Sequence, residues 1–170
     1  MVSACSSRQP RIPPVTEVDI ERFMGDWYVI AHIPTRPERN AYDAIETYAL
    51  RKDGRIQTTF HYRDGSFDAP LETMHPVGTV REGTNGAIWG MQFVWPIQAE
   101  YVIVDLDPAY QRTIVGRSKR DYVWLMARTP SIPDDEYAAA ALRIADLGYD
   151  LSKLRRVPQS GDPPPPTQNP

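Results

Sequence analysis

A length of 170 residues gives room for one domain with an ample core and hardly for two. Hydrophobic residues make up 41% and charged residues 24%, and a net charge of −3 argues against a protein that neutralises nucleic-acid phosphates. The one cysteine, Cys5, excludes an internal disulfide, and no run of 18 apolar residues supplies a transmembrane helix.

In chain order, residues 1–14 are polar and proline-bearing. They bury too little apolar surface to offset their ordering entropy and read as a flexible tether to a domain over 15–158. A short apolar turn, Ile20–Phe23, leads into the first strand. Turn signals then recur about every ten residues: Lys52-Asp53-Gly54, Arg63-Asp64-Gly65, Thr84-Asn85-Gly86, Asp107-Pro108 and Arg117-Ser118-Lys119. The segments between them are rich in β-branched and aromatic residues. They predict strands over 25–33, 44–51, 55–62, 74–81, 87–95, 100–107, 110–116 and 121–128. Eight strands with short connections form an antiparallel up-and-down meander, and closing it into a β-barrel removes its edges.

One helix follows. Pro133-Asp134-Asp135-Glu136 is a proline-led, acidic start that suits the positive end of a helix dipole. Tyr137, Ala141, Leu142, Ile144, Ala145 and Leu147 recur at helical spacing, and Gly148 offers the stop. The apolar face is expected on the outside of the barrel. Residues 154–157 offer a ninth strand, and the Pro-rich run from 159 to 170 is expected to be a disordered tail. The fold class is therefore all-β, an eight-stranded antiparallel barrel with one C-terminal α-helix packed outside.

Three segments carry a resemblance. Gly25-Asp26-Trp27-Tyr28 opens the first strand, Leu106-Asp107-Pro108-Ala109-Tyr110 stands at a turn about 80 residues on, and Arg128 ends the eighth strand about 20 residues later. In order and spacing these resemble the lipocalin family, over residues 15–157, with likeness to the bacterial outer-membrane lipocalin lipoproteins and apolipoprotein D. The second segment departs from the family's frequent Thr-Asp-Tyr, though Asp-Pro starts turns well. The resemblance implies a closed barrel floor, with Gly25 turning the chain into the strand and Arg128 stacked on Trp27 as a cation–π pair of roughly 1–2 kcal/mol.

Side chains alternate along a strand, so one anchor fixes which face looks inward. Trp27 inside places Val29 and Ala31 inside and His32 outside; His61 likewise faces out, which argues against a haem ligand. Arg128 at the floor places Met126, Trp124 and Tyr122 on the lumen side. Matching the family strand by strand adds Glu46, Tyr48, Thr58, Phe60, Tyr62, Trp89, Met91, Phe93, Tyr101 and Ile103. With Tyr122 and Trp124 these are the expected ligand-binding residues, an aromatic wall with a few polar tips. Such side chains can also fill a barrel of this size completely, and Glu46 falls outside if the register shifts by one residue.

The resemblance implies binding, storage or transport of fatty acids, lysophospholipids or similar amphiphiles. The alternative is a lipid-modifying enzyme on the same scaffold. Against it, Cys5 lies in a tether, no Gly-x-Ser-x-Gly element occurs, and no carboxylates are marked as a catalytic pair. No catalytic residue, metal or cofactor is expected, because His32, His61 and His75 lack the spacing of common zinc sites. Val2-Ser3-Ala4-Cys5 resembles a bacterial lipobox, although the charged and apolar regions of a signal peptide do not precede it. Cys5 is thus expected to carry lipid and hold the native protein on the bacterial outer membrane, the bare chain being soluble. Nucleic acid is no partner; a homodimer stays open.

Overall fold

The computed structural model describes residues 10–163. Cys5, the tether up to residue 9 and the tail from 164 lie outside the described residues.

The strands are β1 (Gly25–Ile33), β2 (Ala41–Leu50), β3 (Ile56–Asp64), β4 (Leu71–Met74), β5 (Val77–Val80), β6 (Ile88–Val94), β7 (Ile97–Leu106), β8 (Arg112–Gly116), β9 (Val123–Ala127) and β10 (Arg155–Arg156). All pairings are antiparallel. The order β1-β2-β3-β5-β6-β7-β8-β9 closes through a β1–β9 pairing into an eight-stranded barrel, with β4 added on β3 and β10 on β1. The predicted strand over 74–81 is broken at His75-Pro76. Pro76 has no N–H to continue a ladder, and its carbonyl instead accepts from the Thr58 amide at 3.0 Å. The expected ninth strand is β10, which meets Ala31 and His32.

Two layers of core follow. Inside the barrel, Trp27, Val29, Tyr48, Ile56, Phe60, Trp89, Met91, Tyr101, Ile103, Val115 and Met126 form one buried cluster. Outside it, helix α2 (Asp134–Asp146) covers a second cluster built from Ile30, Ala31, Val102, Val104, Ile114 and Leu125. The helix contributes Ala140 and Ile144, and Leu147 follows at its C-cap, whereas Leu142 is exposed. The helix starts without a side-chain cap, on the Pro133 carbonyl, and ends where Gly148 takes φ +93°.

Both presumed loose ends are held where they are described. Ile12 is buried in the outer cluster and its amide donates to Ser118 Oγ at 3.2 Å, so the tether expected over 1–14 is fixed from residue 10. Gln159 Nε2 donates to the Val29 and Ala44 carbonyls, so the tail's first residues are bound to the barrel as well. Backbone bonds from Val15 N to Ile103 O and from Asp43 N to Pro158 O, both 2.9 Å, add to the ordering that composition does not show.

Candidate ligand-binding cavity

One end of the barrel is sealed. A single helical turn, α1 (Ile20–Phe23), is capped by Asp19, whose carboxylate accepts from the Arg22 amide. It carries Phe23 beneath Trp27, ring centroids 4.9 Å apart, and the indole N–H donates to the Phe23 carbonyl at 2.8 Å. Arg128 lies over the Trp27 ring with its guanidinium carbon 3.8 Å from the centroid. Its remaining donors reach the carbonyls of Asp26, Arg22, Phe23 and Tyr110 at 2.8 to 3.2 Å. Gly25 sits at φ +93°, a conformation that favours glycine, and a Cβ there would stand 3.3 Å from Arg128 Nη1, which would have to give by a few tenths of an ångström. The arginine thereby ties α1, the start of β1 and the β7–β8 turn together while it stacks on the Trp27 ring.

Above this floor the barrel is filled by rings. Trp89 lies flat on Tyr101 at 4.8 Å and meets Tyr48 and Phe23 edge-on at 5.6 and 5.4 Å. Above them the interior opens as a cavity of about 360 Å³. This is within the roughly 300–1,000 Å³ of small-molecule sites. Eight residues expected in the wall line it: Glu46, Tyr48, Phe60, Met91, Phe93, Tyr101, Tyr122 and Trp124. Four do not. Thr58, Trp89 and Ile103 belong to the filled lower half, and Tyr62 stacks on Phe60 at 5.1 Å within the packed wall. Alternation along a strand tells which side chains face inward, but not how deep the void reaches.

Beyond Val29 the alternation itself shifts. A bulge between Val29 and Ala31 inserts one residue into β1 against β9, so Ala31 faces the helix and His32 faces in, the reverse of the sequence expectation. His32 Nδ1 lies 3.8 Å from Glu38 Oε2, and both side chains are buried. Glu38 comes from the β1–β2 loop and also accepts from the Thr35 amide, the Thr35 hydroxyl and the Trp124 indole N–H, at 3.0, 2.7 and 3.2 Å. Burial would raise its pKa, but the His32 imidazole and the Thr35 donors outweigh that, and the net shift is downward. Glu46 is the opposite case. Its Oε2 is buried with no hydrogen-bond partner, and burial together with the Glu38 charge pushes its pKa well up. The Tyr48 and Tyr101 hydroxyls bond each other at 2.7 Å, and burial raises both.

The rest of the lining includes Thr35, Pro37 and Glu38 on the β1–β2 loop and Arg117 just past β8, where strand parity does not apply, and Glu100, which pairs with Gly90 within β7. Arg117 lies 3.4 Å from Asp121 and over the Tyr122 ring. Ala99, Met74 and Met126, the last expected on the lumen side, complete the wall. Ala99 could have been found, being two residues before Tyr101. Among the described residues no group of His, Cys, Asp and Glu is placed to hold a metal ion, and no helix is long and apolar enough to cross a membrane.

The floor, the closed meander and the outer helix meet a family model described as a lipocalin-like domain over residues 18–159. The chain belongs to the lipocalin family. The outer membrane lipoprotein Blc of Escherichia coli is 32% identical over 169 residues, covering 95% of this lipocalin and 92% of that relative. Temperature-induced lipocalin-1 of Arabidopsis thaliana is 30% identical, covering 88% and 84%. Among solved structures, insecticyanin of the tobacco hornworm superposes with a TM-score of 0.68 at 15% identity, over 87% of this chain and 84% of its own, a likeness of fold alone.

Proposed function

We propose that this lipocalin is a non-enzymatic carrier of single-chain amphiphiles, fatty acids or lysophospholipids, at the bacterial outer membrane. The observation that supports it is the cavity above the stacked rings, its wall mostly apolar, with Arg117 among the residues that line it. An acyl chain lowered into it gains roughly 0.8 kcal/mol per buried methylene. Orientation follows from desolvation. An anionic head placed deep would lose its water beside Glu46, whose own ionisation burial already opposes, whereas at the mouth it keeps water and meets Arg117. The ligand therefore enters tail first and keeps its head at the rim. The envelope setting draws on the relative named an outer membrane lipoprotein and on Cys5 as an acylated anchor.

The test has two arms. Organic extraction of the purified protein followed by mass spectrometry is expected to recover fatty acid or lysophospholipid. Titration with a fatty acid is expected to change the emission of Trp124, and Ala99→Trp, which places an indole in the wall near the mouth, is expected to weaken binding at least tenfold. A folded Ala99→Trp protein that binds as tightly as the wild type would show the ligand to lie elsewhere.

A further inference from the structure

The least expected surface of the molecule is the turn joining β6 to β7. Phe93, Val94, Trp95 and Ile97 are 56, 69, 82 and 71% exposed, four large apolar side chains within five residues. A two-residue turn in water is normally polar, and an antiparallel hairpin normally shows solvent one polar face. Here Val94 pairs with Ile97 across the hairpin, so the apolar side chains form a tip and not a stripe along one face. The tip stands at the open end of the barrel, for Phe93 and Ala99 at its base line the cavity.

The four loops at that end are residues 34–40, 65–70, 95–96 and 117–122. They hold Arg36, Arg39, Arg117, Lys119 and Arg120 against Glu38, Asp68 and Asp121, a net charge of +2 on a chain of net −3. Arg36, Arg39 and Lys119 are exposed, while Glu38 is buried. Phe67 within the second of these loops and Leu71 just after it add exposed apolar surface.

We propose that this end of the barrel docks on an anionic phospholipid surface, with the Phe93–Ile97 tip inserted among the acyl chains and the exposed arginines and lysine on the headgroups. Apolar insertion and basic attraction together give the two weak signals that hold a protein reversibly at a bilayer. Trp95 is the residue type favoured at the boundary of headgroup and acyl chain. A second copy of the chain is the less fitting occupant, because pairing two such ends would bring the exposed Arg36, Arg39 and Lys119 of both copies together. Docked in this way, the mouth of the cavity opens onto the source of its ligand.

The test uses the 170-residue chain with Cys5→Ser, so that no acyl anchor contributes, and vesicles of phosphatidylethanolamine with phosphatidylglycerol. The wild-type barrel is expected to sediment with the vesicles, less so at high salt. Brominated acyl chains are expected to quench its emission, and Trp95→Phe to remove the part that comes from the tip, since Trp27 and Trp89 are fully buried and the quenching left on Trp124 reads the cavity. Val94→Asp with Ile97→Asp is expected to lower vesicle partitioning at least tenfold while fatty-acid titration in solution stays unchanged. The docking surface is overturned if the wild type remains in the supernatant or if the double variant partitions equally well. It is overturned too if the substitutions only dissolve a dimer. None of these results bears on whether the cavity binds lipid, which the titration reads separately.

Discussion

Glu46 and Glu38 share one cavity and respond to pH in opposite directions. The folded state raises the Glu46 pKa above its ordinary value of 4.5, so between the two values the native protein holds a proton that the unfolded chain has released. Stability then falls as pH rises through that window. Glu46→Gln is expected to melt higher than the wild type at about pH 8 and to converge with it toward about pH 4, in thermal unfolding followed by circular dichroism. For Glu38 the folded value lies below the unfolded one, and its contribution is present at neutral pH and lost on acidification. Glu38→Gln should therefore be less stable than the wild type at about pH 7, with the deficit shrinking in acid. A gain in Tm for both variants at neutral pH would mean that the His32 and Thr35 contacts do not hold Glu38 ionised.

Among the elements, α2 is the simplest to test. Ile144 is fully buried on the barrel's outer cluster, midway between Ala140 and Leu147. Ile144→Ala is expected to cost about 2–4 kcal/mol in urea unfolding while leaving fatty-acid affinity unchanged, because the helix lies on the far side of the wall from the cavity. A loss of affinity in the folded variant would show that the helix shapes the interior. Strand positions were legible in the sequence because turn residues bracket β-branched and aromatic runs, and the floor was legible because Gly25, Trp27 and Arg128 each have a specific geometric task. The inward set was read correctly as far as strict alternation holds, as for Tyr48, Phe60, Met91 and Tyr101. It failed at Ala31 and His32, where a bulge inserts a residue that no turn-forming side chain announces. Glu38 and Arg117 escaped for a related reason. They enter the cavity from a loop and from a strand's end, where the period of two does not apply.

At the scale of the whole molecule, closure through β1 and β9 leaves no free edge between the first and last barrel strands. The layered rings Phe23, Trp27, Trp89 and Tyr101 then decide how much of the enclosed volume is available. Those rings act as a ruler. Across a series of fatty acids, affinity should climb with each added carbon until the methyl end touches bottom and then level off, the surplus length trailing outside. Tyr101→Ala, which takes away the ring lying on Trp89, should move that plateau to longer chains in the same titration series. An unmoved plateau would mean that some other part of the wall sets the limit. On the proposed reading the stop limits depth alone, so guests of different length share one footing and differ only in how much of them reaches past the rim.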